Sequence, residues 1–451
     1  MLIVNLFTAL YARLYAVVTA LAALAGLSVT VATCLFGKGT RRQRIASALA
    51  RAEVQRRLFS VLRAFLPNIV LGRKLVTAYD NGGSALVTRS ADVREVLSRD
   101  DDFEVVYSPR MEVITGGDNF FLGMQPSGRY TRDVSNMRLV VRRDDVAERV
   151  VPFVAARAAE LVAGAPGRID VPQALSLRVP AQLLGDYFGL PGPSEEKMIE
   201  WTTILFWYLF ADLTAEPEVT ARSTAAAAEF RAYLDDAIAA RRRQQVARDD
   251  ILGRCLLMDG VTPGMDDLGI RNNLIGLMIG AVPTTSKSAV QALDQLLDRP
   301  RALVAAQAAA RSDDDALLAR IVFEALRFNP GNPVIYRRAV RDTVIARNTL
   351  RSRKIPKSTM VFAANFSAMF DPLHLPMPHA FRTDRPWEHY MLWGYGLHTC
   401  FGDYINRAMI PGLLKPLLKK NGLRRANGSA GRIDAGGTPF PVHFVVEYDR
   451  G

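Results

Sequence analysis

Apolar residues in most of this chain recur at every third or fourth position with polar residues between them, which is the spacing of amphipathic helices. Runs typical of strands, rich in β-branched and aromatic residues, are few and short. The predicted helices include residues 143–163, 218–243, 268–297 and 316–328. The capping pair Asp266 and Asp267 precedes the third of them. The predicted strands include residues 333–340, 360–363 and 441–449, and one that ends near Thr88 before a helix that Ser90 can cap. The pattern therefore predicts a mainly helical α+β domain with small sheets at its edges.

The amino-terminal segment departs from this pattern because it is apolar without interruption. From Leu14 to Gly37 it carries no charge, and about 20 such residues suffice to cross a bilayer core as a helix. A cleaved signal peptide is the alternative, but the stretch is longer than a normal signal core and no small-residue cleavage site closes it. The basic residues that follow are Lys38, Arg41, Arg42, Arg44, Arg51, Arg56 and Arg57. Since such flanks stay in the cytoplasm, we predict a single-pass membrane protein whose main domain is cytoplasmic.

The composition fits this organisation. With 451 residues, 49% of them hydrophobic and 23% charged, the chain can form one large globular domain with a short appendage. We expect a membrane anchor at 1–37, a basic connector at 38–69 and the large domain at 70–451. The net charge of +12 suits nucleic acid, anionic lipid or an acidic protein. No dense basic run alternates with aromatic residues, as a nucleic-acid groove requires, so we expect membrane lipid and an acidic protein as partners, and no nucleic acid.

The cysteines are few enough to be considered singly. Cys34, Cys255 and Cys400 are too scattered for a disulfide framework or a four-thiolate metal site. Cys400 lies in the segment W-G-Y-G-L-H-T-C-F-G (393–402), just before a predicted helix whose dipole would stabilise a thiolate, the form that binds iron. An inert buried thiol is the alternative. Zinc is disfavoured, because His398 and Cys400 alone cannot complete a tetrahedral ligand set.

This segment closely resembles the F-G-x-G-x-H-x-C-x-G haem-binding loop of the cytochrome P-450 superfamily, with Trp393 in place of the usual phenylalanine. The resemblance implies that Cys400 is the proximal ligand of haem b (iron protoporphyrin IX). It also implies that His398 contacts a haem propionate and that Trp393 packs beside the sulfur. The motif also contains Gly394, Gly396 and Gly402. Glycines at these positions are expected to let the backbone turn tightly and approach a bulky group closely.

Further motifs of the same family follow in the family's order. Glu324 and Arg327 match its E-x-x-R helix, and Arg385 matches the arginine that completes a buried ion-pair triad. Arg337, on the strand R-x-A-x-x-D, would meet a propionate, since a guanidinium suits a carboxylate. The resemblance covers roughly residues 70–451 and implies the triangular helical cytochrome P-450 fold with small β-sheets.

A second propionate contact is expected from the segment G-R-Y-T-R-D-V-S-N-M-R. Arg129, Arg132 and Arg138 all occur in the zone where the family places a histidine or tryptophan followed by arginine, but the family spacing is not kept. We expect one of the three to contact a propionate and favour Arg132, with an ordinary surface arginine as the alternative for each.

The long helix carries the main departure from the family. In G-A-V-P-T-T-S-K-S, Gly280, Ala281 and Thr284 match the oxygen-binding stretch, but Pro283 replaces the acid that relays protons. Proline has no N–H for the carbonyl of Ile279, so the helix is expected to kink open there. The groove opened by this kink could hold dioxygen, a peroxide or water, with the Thr284 hydroxyl as a hydrogen-bond donor.

Two enzymatic hypotheses follow from the resemblance. One is a haem-thiolate monooxygenase that hydroxylates an apolar fatty acid, terpene or sterol with dioxygen and electrons from a separate ferredoxin or reductase. The other is a peroxide-using peroxygenase or a lipid hydroperoxide isomerase, which needs neither a reductase nor the missing acid. A non-catalytic haem sensor is a third possibility. It is disfavoured by the membrane anchor and by the aromatic-rich stretch at 201–213, which is either core or a substrate-entry surface.

Overall fold

The computed structural model describes residues 2–36, 40–244 and 248–449. Gly37 and Lys38, at the predicted end of the membrane helix, lie outside the described residues. The α-helices are α1 (Leu2–Phe36), α2 (Arg41–Ala50), α3 (Ala52–Phe65), α4 (Ser90–Ser98), α5 (Ser108–Thr115), α6 (Gly128–Val140), α7 (Val151–Ala163), α8 (Arg178–Asp186), α9 (Glu195–Phe206), α10 (Pro217–Gln244), α11 (Ile251–Met258), α12 (Asp267–Leu297), α13 (Pro300–Arg311), α14 (Asp315–Phe328), α15 (Asn365–Ala368) and α16 (Asp403–Leu418). Shorter 3-10 or π turns are Phe121–Gly123, Val146–Val150, Pro172–Ser176, Trp207–Ala211 and Trp387–His389.

The strands are short and lie in three sheets. They are β1 (Asn68–Leu71), β2 (Gly83–Val87), β3 (Phe103–Glu104), β4 (Arg168–Asp170), β5 (Ile335–Ala339), β6 (Thr343–Ile345), β7 (Arg353–Ile355), β8 (Thr359–Ala363), β9 (Arg424–Arg425) and β10 (Val445–Glu447). The mainly helical α+β class with small sheets is therefore confirmed. The predicted helices and strands occur at the expected places, and several strands that the sequence did not predict are two to four residues long.

The start of α12 agrees with its sequence signal, whereas the start of α4 does not. Asp266 caps α12 by accepting the N–H of Gly269 at 2.8 Å. Ser90 was expected to cap α4, but it is the first helical residue, and its N–H donates instead to the Asp371 carboxylate at 2.9 Å. The prediction for Ser90 is wrong because a distant carboxylate satisfies this helix terminus.

The described chain divides into two compact units. The first comprises the residues up to Val76, Asp80–Glu104 and Leu326–Thr399. Its main sheet has the order β1-β2-β8-β5-β3, in which β2 and β8 run parallel and the other pairs are antiparallel. Apolar residues of this sheet and of α4 and α15 form its core, with Val87, Phe103 and Phe366 almost fully buried. β6 and β7 form a separate hairpin.

The first unit also contains the amino-terminal helix and the segment expected to be a connector. That segment forms α2 and α3, and α1 packs along α3. Alanines line the buried side of α1, namely Ala12, Ala16, Ala20 and Ala23, while most of its leucines and valines are exposed. A Cβ on Gly26 would lie 2.8 Å from the Arg57 guanidinium, whose Nη1 donates to the Gly26 carbonyl at 3.2 Å. α1 is therefore held against a basic helix along one side.

The second unit comprises Thr77–Tyr79, Val105–Ala325 and the described residues from Cys400 onward. α12 lies at its centre, in contact with α8, α9, α10, α13 and α16. A small sheet of order β4-β10-β9 lies within the same unit. A buried ion pair between Arg254 and Asp145, to which the Tyr187 hydroxyl also donates, joins distant parts of the chain. The ion pair holds α11 against the segment between α6 and α7.

Candidate active site

Cys400 lies immediately before α16, as predicted. The backbone N–H of Gly402, the N-cap residue, donates to the Cys400 sulfur, and the Cys400 carbonyl accepts the N–H of Asp403 at 3.3 Å. Burial raises the pKa of the Cys400 thiol to about 11, while the Gly402 N–H and the Arg138 guanidinium act in the opposite direction. The helix terminus alone therefore does not produce a thiolate here, and binding a metal ion would have to displace the proton.

The glycines before Cys400 adopt the conformations that the motif requires. Gly394 and Gly396 have φ values of 91° and 76°. At Gly396 a Cβ would lie 2.6 Å from the Leu97 carbonyl oxygen, so a larger residue could not approach so closely. Gly402 has an ordinary φ of −87° and no crowding within 3.4 Å of a built Cβ. Trp393 stacks on Trp387, with ring centroids 5.3 Å apart.

His398 and Arg337 lie close enough to influence each other within the first unit. Burial and, to a smaller extent, the Arg337 guanidinium lower the pKa of His398 to about 4. Arg337 is almost fully buried on β5. A buried cation beside a neutral imidazole forms a donor pair suited to a carboxylate. The two propionate contacts stay predictions.

Among the three arginines of α6, Arg138 contacts the residue that follows Cys400. Arg138 donates from Nη1 to the carbonyl of Phe401 at 2.7 Å, and its guanidinium lies 3.7 Å from the centroid of the Phe401 ring. Arg132 pairs instead with Asp133 at 2.7 Å, and Arg129 pairs with Asp118 at 2.8 Å. The propionate contact expected of Arg132 stays a prediction. We propose Arg138 as the better candidate, because it lies in the last turn of α6 against the residue that follows Cys400.

This assignment can be tested through haem retention. Arg138→Leu should release haem faster than the wild type, by about tenfold, because a charge-assisted hydrogen bond contributes about 1.5–3 kcal/mol. Arg132→Leu is the matched control and should leave the rate unchanged. Transfer of haem to apomyoglobin measures both rates, and equal rates for the two variants would contradict the assignment.

On α12, the residues that match the oxygen-binding stretch lie on two different sides. Gly280, Ala281 and Thr284 are partly accessible, whereas Pro283 is buried. The Thr284 hydroxyl donates to the carbonyl of Gly280 within the helix. α12 continues through Pro283 to Leu297 without interruption, so the proline does not divide the helix; the expected local kink stays a prediction. Thr284 presents a hydroxyl group on the accessible side of this stretch.

A hydrogen bond connects the Thr284 helix to the Cys400 helix. The Thr285 hydroxyl donates to Asn406 Oδ1 on α16 at 3.0 Å, and both groups are buried. The sequence did not indicate Asn406, although its position one turn after Gly402 places it at the start of α16. The pair fixes the relative position of the Thr284 and Cys400 segments.

Two members of the predicted ion-pair triad are close together. Arg327 and Arg385 both donate to the carbonyl of Ala380, at 3.3 and 2.9 Å, and Arg327 also donates to Met369 O at 3.0 Å. Arg327 is fully buried, and so is Glu324 one turn earlier on α14. Arg327 and Arg385 thus meet at the carbonyl of Ala380 within the first unit.

The residues present fit a haem. Among the described residues, no group of three or more His, Cys, Asp or Glu could hold a metal ion. A cysteine thiolate is a ligand that haem iron accepts, and Cys400 could supply it. A Cβ built on Gly280 would meet no atom within 4 Å, which indicates open space along the Thr284 side of α12. In the second unit Cys400 would hold the iron and Arg138 a propionate; in the first unit Arg337 and His398 are donors for a carboxylate.

One further side chain on this side of α12 was missed from the sequence. Lys287 follows Thr284 by three residues, is partly accessible, and lies with its Nζ 5.9 Å from the centroid of the Phe440 ring. Its i, i+3 spacing from Thr284 was a signal that it shares the same side of the helix.

Comparison with known proteins gives consistent matches. The family model described as Cytochrome P450 matches residues 84–421. Cyclomarin C epoxidase CymV of Salinispora arenicola is 29% identical over 291 residues, covering 62% of this chain and 68% of the relative. Linoleate diol synthase of Gaeumannomyces graminis is 37% identical over 83 residues, which are 18% of this chain and 7% of that much longer protein. A cytochrome P-450 structure from Chondromyces apiculatus superposes with a TM-score of 0.71 at 21% identity, covering 89% of this chain and 98% of that one.

Proposed function

Because the chain belongs to the cytochrome P-450 family and is an oxidoreductase of that type, we propose that it hydroxylates an apolar small molecule with dioxygen and external electrons. The observation that supports this most directly is the position of Cys400. Its sulfur lies at the amino end of α16, and α16 is tied by the Asn406 hydrogen bond to the helix that presents Thr284. A thiolate ligand and a hydroxyl group are thereby held on two connected helices.

We propose haem b as the cofactor, held by Cys400, with Arg138, Arg337 and His398 as donors for its propionates. When bound, it would supply an iron centre that activates oxygen, with the cysteine thiolate donating electron density to favour O–O cleavage. Desolvation of the surrounding groups strengthens each of these electrostatic contacts. No flavin or nicotinamide motif occurs in the sequence, so the electrons would come from a separate ferredoxin or reductase, and the basic surface suits an acidic donor.

We propose that Thr284 transfers protons to the reactant. Its hydroxyl donates to the Gly280 carbonyl, so its oxygen remains free to accept a further hydrogen bond on the accessible side of α12. To pass a proton to a reactant, the hydroxyl must rotate away from Gly280. Pro283 has no carboxylate that could return a proton to the Thr284 hydroxyl. Water or the substrate would have to supply that proton.

The missing acid specifically favours a second candidate, the use of a peroxide. A peroxygenase or a lipid hydroperoxide isomerase receives its oxygen already reduced and does not need the acid that Pro283 replaces. The non-catalytic sensor is less well supported, since the relatives carry the names of enzymes.

Turnover with different oxidants distinguishes the two enzymatic hypotheses. The full chain is supplied with a fatty acid and either hydrogen peroxide, a lipid hydroperoxide, or NAD(P)H with surrogate redox partners. Monooxygenase function predicts products with the redox partners alone, and Pro283→Asp should raise that rate by about tenfold, since proton relays contribute about 10²- to 10⁴-fold. Product formation from peroxide at equal or higher rates would contradict the monooxygenase proposal.

An apolar substrate is supported by aromatic residues of the second unit. Phe206 and Phe210 lie with ring centroids 4.5 Å apart, and Phe206 lies 5.8 Å from Phe440. Such rings bury apolar matter effectively. Fatty acids, terpenes and sterols all suit them, and the name of the relative linoleate diol synthase favours the fatty acids among these classes.

We further propose that α1 attaches the enzyme to a membrane, with the enzyme domain in the cytoplasm. Among the described residues, one helix, Leu10–Leu35, is long and apolar enough to cross a bilayer. Its leucine- and valine-rich side is exposed, whereas its alanine side contacts α3. Lipid contact on the exposed side would remove a large apolar surface from water. To cross the bilayer, α1 would have to separate from α3, whose Arg57 donates to the Gly26 carbonyl.

The membrane proposal predicts that the full chain stays with membranes in alkaline carbonate, as a spanning helix does. Protease should then remove an amino-terminal tag only after the vesicles are opened, if the enzyme domain faces outward from them. Release of the protein by carbonate would contradict a spanning anchor.

A further inference from the structure

One side of α12 carries a charged residue that the proposed chemistry does not use. This accessible side consists of Gly280, Ala281, Thr284, Lys287 and Ser288, all partly exposed, while the helix residues between them are buried. Open space borders it at Gly280. Because side chains three residues apart project from the same side of a helix, Lys287 extends beside Thr284.

The surroundings of the Lys287 ammonium are aromatic. Its Nζ lies 5.9 Å from the centroid of Phe440, and the Phe440 ring adjoins that of Phe206. Phe440 and Phe206 are buried. A cation–π contact near its limit of about 6 Å contributes about 0.5–1 kcal/mol, or about 2 when fully desolvated. Phe440 therefore offsets only part of the cost of placing an ammonium here.

No negative group of the described chain compensates this charge. Across residues 2–36, 40–244 and 248–449, no ion pair or hydrogen bond to Lys287 Nζ is formed, whereas other lysines such as Lys415 and Lys419 pair with aspartates. Burial lowers the pKa of Lys287 to about 8, and no carboxylate opposes this effect. An ammonium without a partner in such a place is costly, so a ligand that brings a negative charge would be stabilised.

We propose that Lys287 binds the carboxylate of the substrate, which narrows the substrate class from apolar molecules in general to apolar carboxylic acids such as fatty acids. This inference rests on the proposed oxygenase function. The ammonium fixes the acid group one turn from Thr284, and the aromatic rings of Phe440 and Phe206 receive the adjoining hydrocarbon. Terpenes and sterols without an acid group would leave the charge uncompensated. A structural lysine that merely covers Phe440 is the competing explanation.

Binding measurements on the haem-loaded full chain separate these explanations. The probes are dodecanoate and palmitate, each compared with its methyl ester by calorimetry and by the optical shift of the haem. The wild type should bind each acid at least about tenfold more tightly than its ester. Lys287→Met should raise the Kd of the acids by about tenfold to a hundredfold, the effect of losing a hydrogen bond to a charged group, and change that of the esters less than about threefold.

Two controls complete the experiment. Lys287→Arg keeps the charge and should preserve the preference for the acid. Lys354→Met removes an exposed lysine on β7 that pairs with Asp342 and should change neither Kd. Equal binding of acid and ester by the wild type, binding of neither, or an equal loss of both in Lys287→Met would overturn the proposal.

The failure of this proposal can be told from failure of the oxygenase function. The absorption band of the reduced carbon monoxide complex reports the haem thiolate independently of any substrate. If the wild type shows the thiolate band but no preference for acids, the proposed role of Lys287 is refuted and the oxygenase function is not. If the wild type lacks the band, the proposed function itself is refuted.

Discussion

Cys400→Ser should abolish the thiolate-type absorption band of the reduced carbon monoxide complex and lower turnover by more than about a hundredfold. A change in an outer partner of a metal ligand already costs about 10- to 100-fold, and this change removes the ligand itself. The Gly402 N–H, which donates to the sulfur, would retain an acceptor in serine, so the loop should keep its shape while the iron loses its soft ligand.

The other cysteines provide matched controls for this experiment. Cys255 is fully buried on α11, and burial raises the pKa of its thiol to about 12; Cys34 lies on α1 and is partly exposed. Cys255→Ala and Cys34→Ala should both keep the band. A band that survives in Cys400→Ser but disappears in either control would assign the ligand to another residue.

Arg327→Met should lower the free energy of unfolding by about 3–5 kcal/mol, the cost of removing one partner from a buried charged network. The guanidinium is fully buried, donates to the carbonyls of Met369 and Ala380, and lies 4.4 Å from the centroid of Phe370. Methionine fills part of the volume but leaves the carbonyls without these donors.

Urea unfolding followed by circular dichroism measures this change. Arg320→Met, on the same helix α14 but at an exposed position, is the control and should stay within about 0.5 kcal/mol of the wild type. An effect of Arg327→Met as small as that of Arg320→Met would show that the buried guanidinium contributes no net stability.

The long regular elements could be predicted from the sequence, because their signals are local. α12 has a capping aspartate and many turns of apolar periodicity, and it begins one residue before the predicted position. β3 and β9 have two residues each, too few for any alternation to be recognised. Ser90 shows the limit of local signals, since the carboxylate that satisfies its N–H is 281 positions away in the chain.

The candidate site likewise has features that the sequence predicts and features that depend on the fold. Cys400 and its glycines were predictable because their order along the chain encodes the turn, and Gly396 has the positive φ that such a turn needs. The choice between Arg132 and Arg138 depended on which turn of α6 meets Phe401, and this is a property of the fold. α2 and α3 were expected to be a connector, because a high density of arginines concealed the apolar residues Val54 and Phe59 that α3 buries.

The contact between α1 and α3 has a practical consequence for protein production. Membrane-attached enzymes are commonly shortened at the amino terminus to obtain soluble material. Here deletion of α1 would remove the acceptor of the Arg57 guanidinium at Gly26 and uncover the side of α3 on which the alanines rest. Exchanging the exposed leucines and valines of α1 for polar residues, with Ala12, Ala16, Ala20 and Ala23 retained, is the design that preserves this surface while removing the attraction to lipid.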